Sequence, residues 1–388
     1  MTFLLAAMTA VAPLIMQMYL PALPSMAREL GVSASSIQLT FSAYVFTVGP
    51  AQLLYGPIAD YMGRRRTALL SLTVSLAGSL LCAMADSLSV LVIGRIVQAL
   101  GAAGGLVVSR AVLSDRYGYD GMAERLSMVI SVIVIVPMIS PLVGGYLTEG
   151  LGWPSVFVAS SLYITVVGTI AFRALPETMQ GTGDREPFLD GLKSLIRKPL
   201  FAILTIQSAL SLSLFYTFIA VVPYLLEVSL GYPPTAYGKF FVLLALGYMG
   251  GTFVSSRIAS RFGMLRMIQI GTTGASIAAG TMLVWNYDAT ISAWSLFLPM
   301  SALAFANGLS SPSMQSGAVL QTKRFAGTAS GVVGCLQQLI AGLAVQLVAI
   351  NGLTSSKPMV SFIATASTLV LATTLFLTLH RHSRDSLS

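Results

Sequence analysis

Charge is the scarcest feature of this 388-residue chain. Asp, Glu, Lys and Arg together make up 9% of it, where a soluble domain carries about 25%. That is too few ionised side chains to cover a water-facing surface of this size. A cytosolic enzyme, a disordered chain and a secreted disulfide scaffold are all excluded. Histidine is nearly missing: His380 and His382 are the only two, both in the polar C-terminal tail. A buried histidine metal site and any Ser-His or Cys-His pair are excluded with them. Cys82 and Cys335 sit in apolar runs and define no disulfide framework.

Apolar residues are abundant: 55% of the chain is hydrophobic and the mean hydropathy is +0.81. The fitting solvent is lipid. Apolar runs of crossing length fall at about 3–26, 36–58, 67–86, 88–113, 126–149 and 154–175. Six more fall at about 199–226, 236–258, 267–286, 292–313, 327–350 and 358–379. Lipid offers backbone groups no hydrogen bonds, so these runs are helices. The alternation expected of a barrel strand is absent. The expectation is an all-α membrane protein of twelve transmembrane helices in two six-helix halves. Its divisions are 1–175, a cytoplasmic linker 176–198, 199–379 and a cytoplasmic tail 380–388. The first run lacks a basic leader and is too long for a signal peptide, so it reads as a true span. The natural start of the chain is left open.

The formal charge of +8 arises from 22 basic and 14 acidic residues. Nucleic acid is not the inferred partner, because the excess follows membrane sidedness. With both termini inside, seventeen Lys and Arg lie in inner loops and Arg28, Lys239 and Lys357 lie outside. Arg95 and Arg110 fall within spans. Positive residues concentrate on the cytoplasmic side of membrane proteins, which fixes this orientation.

The halves look related. Ile58-Ala59-Asp60-Tyr61-Met62-Gly63-Arg64-Arg65-Arg66 and Ile258-Ala259-Ser260-Arg261-Phe262-Gly263-Met264-Leu265-Arg266 share Ile, Ala, Gly and the last Arg at an offset of 200. Two parallel repeats about a midplane cavity form a transporter architecture.

Four segments carry chemistry. In Gly56-Pro-Ile-Ala-Asp60-Tyr-Met-Gly63-Arg64-Arg65-Arg66, Gly63 permits a tight reversal and Asp60 can accept charged hydrogen bonds, forming a breakable latch. The bland alternative is a basic loop that only sets topology. In Gly94-Arg95-Ile-Val-Gln98-Ala-Leu-Gly101-Ala-Ala-Gly104-Gly105, Arg95 is an intramembrane cation, which is costly and marks a cavity or a partner. The glycines there read as close helix packing. In Val136-Pro137-Met-Ile-Ser140-Pro141-Leu-Val-Gly144-Gly145, two prolines bend a helix and two glycines admit a neighbour. Met18-Tyr19-Leu20-Pro21-Ala22-Leu23-Pro24 closes the first span, preceded by Gln17. Gly181-Thr-Gly183-Asp184 matches an intramembrane aspartyl protease string but lies in a polar loop without a partner acid.

The first segment resembles the inner-loop signature of the major facilitator superfamily, the second its Arg-x-x-Gln-Gly segment with Ala99 in place of Gly, and the third its antiporter motif with Ser140 in place of Gly. The end of the first span, with Gln38-Leu39-Thr40, is similar to Bcr/CflA-type drug-resistance exporters. The resemblance implies the major facilitator fold, small amphipathic substrates and drug/proton antiport. It also implies no cofactor beyond the proton as coupling ion, no enzymatic activity, a monomer, and a place in the bacterial inner membrane. It further implies an acid where Gln17 stands, and Gln cannot titrate. Depth along the two helices places Gln17 and Arg95 at one level of the cavity. Asp115 is the best remaining inner acid for a proton, and Glu227 an outer one. Other polar candidates for the path are Tyr19, Tyr44, Arg110, Gln207, Tyr216, Asn307 and Gln337. Helix-to-helix hydrogen bonding is the alternative reading for each of them. A metabolite exporter for sugars or amino acid derivatives, a proton-uncoupled facilitator and a non-transporting receptor are the rival functions.

Overall fold

The computed structural model describes residues 1–179, 192–195, 198–287, 291–321 and 326–385, with backbone alone at 117–134, 287, 326–327 and 380–385. Most of the linker, its Gly181–Asp184 string and the end of the tail lie outside the described residues. Helices dominate, and no strand occurs among the described residues. In order they are α1 (Thr2–Met18), α2 (Leu23–Glu29), α3 (Ala34–Met62), α4 (Arg64–Ala83), α5 (Leu88–Leu151) and α6 (Pro154–Ala174). Then come α7 (Pro199–Tyr224), α8 (Pro234–Phe262), α9 (Met264–Tyr287), α10 (Ala293–Val319), α11 (Ala326–Ile350) and α12 (Lys357–Asp385). A 3₁₀ turn, Leu20–Ala22, joins α1 to α2, where Pro21 and Pro24 interrupt regular bonding.

Nine helical segments among the described residues combine crossing length with high hydropathy. The expected spans in α3 and α10 fall outside that set because Gln38, Thr40, Ser42, Asn307, Ser310 and Ser313 dilute them. Their 29 and 27 residues still reach about 40 Å at ~1.5 Å per residue, enough for a ~30 Å core.

One expectation is corrected: the fourth and fifth runs are joined by continuous helical backbone, α5, over 64 residues. It is not straight. Gly105 packs on Met8 and Gly144 on Met18. Those glycines are 39 residues apart, about 58 Å along a straight helix, while Met8 and Met18 are only ~15 Å apart. The chain therefore doubles back between them, and both arms lie along α1, as two spans would.

The chain folds as two compact units, Met1–Arg185 with Tyr232–Lys239, and Glu186–Gly231 with Phe240–Ser388. The repeat is written in the backbone. Among the described residues, every glycine at positive φ belongs to a pair 200 residues apart: Gly31 and Gly231, Gly63 and Gly263, Gly152 and Gly352. Helices α3 and α8 also start and stop 200 residues apart. Helix ends close on such glycines because other residues are strained there.

The first unit is knitted by small residues and by side chains bonded to α1. In α4 and the first arm of α5, Gly78 lies against Gln98 and Gly101 against Ser75, backbone to backbone. Helices without water between them associate through such close packing. Carbonyls of α1 accept hydrogen bonds from Ser109 (to Leu5, 3.0 Å), Tyr163 (to Ala7, 2.9 Å) and Tyr44 (to Ala12, 3.0 Å). Helix α1 is thus held by α3, both arms of α5, and α6.

A Cβ on Gly144 would overlap the Met18 carbonyl oxygen. Gly144→Ala is expected to force α1 and α5 apart and to cost about 1–3 kcal/mol or more. The thermal midpoint of the detergent-purified protein should fall clearly. Gly150→Ala, where a Cβ meets nothing within 4 Å, should leave it unchanged. Equal midpoints for the two variants would refute the close approach.

Candidate functional site

Arg95 is fully buried, 0% exposed, within the first unit. Its guanidinium lies between two tyrosine rings, 4.0 Å from the Tyr19 centroid and 4.1 Å from that of Tyr44. Nη1 donates to Gln98 Oε1 at 2.6 Å, and Nε donates to the Thr40 carbonyl at 3.4 Å. Gln98 in turn donates to Ser79 Oγ at 2.7 Å. One cation therefore joins α1, α3, α4 and α5. No carboxylate is among these partners; the π faces and neutral oxygens carry the whole counter-charge.

Gln17 is 1% exposed, and its Oε1 has no hydrogen-bond partner among the described residues; neither has Arg95 Nη2. No hydrogen bond from that guanidinium nitrogen therefore reaches Gln17. Tyr19, two positions on, occupies the guanidinium face, and helical residues two apart point to different sides. The residue that meets Arg95 from the first span is Tyr19.

The inner-loop segment forms a charged cluster. Gly63, at φ +89°, ends α3 and starts α4. Arg64 pairs with Asp60 and, at 2.9 Å, with Asp115. Thr178 Oγ1 donates to the same Asp115 oxygen at 3.1 Å. Asp115, foreseen as a proton site, is thus engaged in an ion pair at the end of its span.

Glu177 completes the cluster and was not foreseen. Its carboxylate accepts from the backbone N–H of Arg64 (2.8 Å), Arg65 (3.2 Å), Thr178 and Met179 (3.1 Å each). It caps α4, which has no side-chain cap of its own, from 113 residues away. A Cβ on Gly63 would strike this carboxylate, a second reason for glycine there. Arg65 donates to the Phe172 carbonyl at 2.7 Å, fastening α4 to α6. Gly56 meets nothing within 4 Å and has no packing role of this kind.

Partial burial pushes the Glu177 carboxyl up, but the donors from Arg64, Met179, Arg65 and Thr178 outweigh it and hold the pKa below the usual 4.5. A depressed carboxylate stabilises the folded state above its unfolded pKa, and that contribution is lost as pH falls through the folded value. Wild type should therefore melt above Glu177→Gln from pH 8 to about 5, and the gap should close on further acidification. A gap independent of pH would refute the charged cap.

Ser140 Oγ donates back to the Val136 carbonyl at 2.6 Å, between Pro137 and Pro141. Beyond the prolines, Gly144 lies on Met18 and Gly145 on the Pro234–Thr235 backbone, 2.9 Å from a would-be Cβ. Both glycines serve close packing.

In the second unit the polar candidates bond to other helices. Gln207 Nε2 donates to Thr373 (2.9 Å) and Thr374 (3.1 Å) of α12. Asn307 Nδ2 donates to the Ser211 carbonyl at 3.4 Å, and the Tyr216 hydroxyl pairs with Gln338. Gln337 is half-buried on α11, and Arg110 is exposed on α5. The offset of 200 shows what this unit lacks. Ser260, Met264 and Gln315 stand where the first has Asp60, Arg64 and Asp115, and Ser295 where it has Arg95. Among the described residues, these charged devices are built in the first unit.

A family model described as Major Facilitator Superfamily matches residues 5–345. The chain belongs to this superfamily. Solved superfamily-like folds agree over nearly the whole chain. A peptide transporter POT in complex with sulfate superposes with a TM-score of 0.80 at 14% identity, covering 97% of this chain and 93% of that one. A D-xylose-proton symporter gives 0.74 at 14% identity, covering 95% and 96%. Identities this low speak to fold alone. Among curated relatives, Multidrug resistance protein D of Escherichia coli (strain K12) is 28% identical over 89% of this chain and 87% of its own. Chloramphenicol resistance protein of Pseudomonas aeruginosa is 28% identical over 95% and 88%. The multi-pass helical architecture is that of the superfamily, with the inner-loop cluster and the Arg95 core in its first half.

Proposed function

We propose that this superfamily member is a multidrug efflux transporter, a monomer of the bacterial inner membrane that exports small amphipathic compounds. The observation that carries the reading is likeness to drug-resistance proteins across about nine-tenths of both chains. The polar core fits the same reading. Arg95 has strong partners that two helix positions could exchange, and the Asp60–Arg64–Asp115 cluster is a set of ionic bonds a moving bundle can break and remake. Relatives named for drug resistance favour this over metabolite export or a receptor role.

Proton exchange is the coupling mode we propose to be altered here, because Gln17 carries no proton. Drug susceptibility in a drug-sensitive bacterial host tests the export reading. Expression should raise the tolerated chloramphenicol concentration several-fold without changing sugar or amino acid uptake. The reverse pattern would replace it with metabolite export. Gln17→Asp should add pH-gradient dependence to transport in proteoliposomes. Identical dependence in both proteins would refute the coupling argument.

A further inference from the structure

Two neighbouring helices of the first unit carry an exposed apolar stripe that ends in an exposed arginine. On α4 the exposed positions recur every three or four residues: Arg66, Leu70, Thr73, Ala77, Leu80 and Met84. That is a single face at the helical period. It runs about 27 Å at ~1.5 Å per residue, close to the thickness of a hydrocarbon core. On α6, Val158, Leu162, Val166 and Ile170 are exposed four apart, and Arg173 closes the same face. Apolar side chains exposed over a crossing length face acyl chains, and both arginines stand at the end of the helix that carries the inner-loop cluster.

Arg65 joins the two ends. It donates to the Phe172 carbonyl at 2.7 Å with its guanidinium 5.6 Å from the Phe172 ring centroid, which sets it beside Arg173. Its Nε is buried without a hydrogen-bond partner among the described residues. No acid pairs with Arg66 or Arg173 among the described residues. The acids of this end are already engaged: Asp60 and Asp115 with Arg64, and Glu177 with four backbone N–H groups. Like charges at a low-dielectric boundary repel, and an anion among them relieves the repulsion. A single arginine there needs only to snorkel into water. The second unit shows that simpler case. Arg266 heads an exposed stripe with Ile270 and Ile277 on α9, Leu265 stands where the first unit has Arg65, and Thr373, which accepts from Gln207, stands where it has Arg173.

We propose that the arginine end of the α4–α6 face binds the phosphate of an anionic phospholipid, with Arg66 and Arg173 as its main contacts and the acyl chains along the two stripes. The guanidinium groups supply charge-assisted donors to phosphate oxygens. The apolar stripes select a phosphate that carries acyl chains over one free in water. The site does not depend on what the protein exports.

The test uses the purified full chain, stripped of lipid in detergent, and three probes: dioleoyl phosphatidylglycerol, dioleoyl phosphatidylcholine and inorganic phosphate. Native mass spectrometry counts bound lipid, and thermal midpoints follow each titration. One basic residue is worth about fivefold at an anionic lipid surface, so two set the scale at about tenfold or more. Wild type should bind phosphatidylglycerol more tightly than phosphatidylcholine by that factor. Arg66→Gln with Arg173→Gln should remove it and leave phosphatidylcholine binding unchanged. Arg266→Gln should leave both affinities near wild type. The two arginines are exposed, so the lipid-free midpoint of the Gln pair should match wild type. Arg66→Lys with Arg173→Lys keeps the charge and should retain most of the phosphatidylglycerol affinity. Equal affinity for the two lipids would overturn the site. So would undiminished phosphatidylglycerol binding in the Gln pair, or a loss as large in Arg266→Gln or in the Lys pair. Inorganic phosphate that displaces phosphatidylglycerol at millimolar concentration would mark a free-anion site and overturn the lipid assignment.

Discussion

Arg95→Ala is expected to abolish drug export and to lower stability by at least about 3 kcal/mol, whereas Arg95→Met abolishes export with stability within about 2 kcal/mol of wild type. The contrast follows from magnitudes. Burying a guanidinium costs several kcal/mol even after relaxation. Two tyrosine faces return up to about 2 kcal/mol each, and the 2.6 Å bond to Gln98 about 1.5–3 kcal/mol. Those terms nearly cancel, so an apolar side chain of similar length is tolerated by the fold. Alanine removes the volume as well. It leaves a cavity worth about 2–5 kcal/mol, on top of the loss of the donors to Gln98 and Thr40 that both variants share. If the arginine were only a core filler, Arg95→Met would export at the wild-type rate. Thermal midpoints and proteoliposome flux on the same preparations separate the cases.

Breaking the inner-loop cluster should cost turnover more than binding. Arg64→Ala is expected to cut the maximal export rate at least tenfold while chloramphenicol affinity changes less than threefold, since Arg64 lies at a helix end, away from the Arg95 core. Its contacts with Asp60 and Asp115 are side chain to side chain, with Arg64 13%, Asp115 23% and Asp60 42% exposed. Removing Arg64 and Asp115 together should cost less than the two single effects combined, with a coupling of about 0.5–1 kcal/mol in stability. Additive losses would mean that the pair does not act as a unit. Asp115→Asn tests the same link while keeping the shape, and it should retain the Thr178 contact.

The sequence made the fold legible because lipid imposes strict rules. Crossing length, helical hydrogen bonding and basic inner loops leave few architectures for a chain with 9% charge. The repeat was visible in one loop, Ile58–Arg66 against Ile258–Arg266, and its full extent emerged only from the glycine pairs at positive φ. The turn within α5 was the fold's unreadable detail: the runs 88–113 and 126–149 read as separate spans, yet the backbone between them stays helical.

The site was legible by residue type and less so by contact. Arg95 was identifiable because an intramembrane arginine is expensive. Its true neighbours were not, because depth along a helix fixes level and not azimuth, and Tyr19 rather than Gln17 has the right azimuth. Gln207 illustrates the alternative outcome, a polar residue used to tie α7 to α12. Glu177 was hidden for a different reason. It follows the sixth span by a few residues and reads as one more solvated linker charge. Only the return of α6 toward the start of α4 turns it into a cap.

The most direct test of the account is chloramphenicol flux in proteoliposomes holding only the purified chain, compared with protein-free vesicles and with Arg95→Met. Saturable flux by the native chain, lost in Arg95→Met although that variant is folded, is the predicted result. Flux no faster than that of empty vesicles, or equal in both proteins, would contradict it.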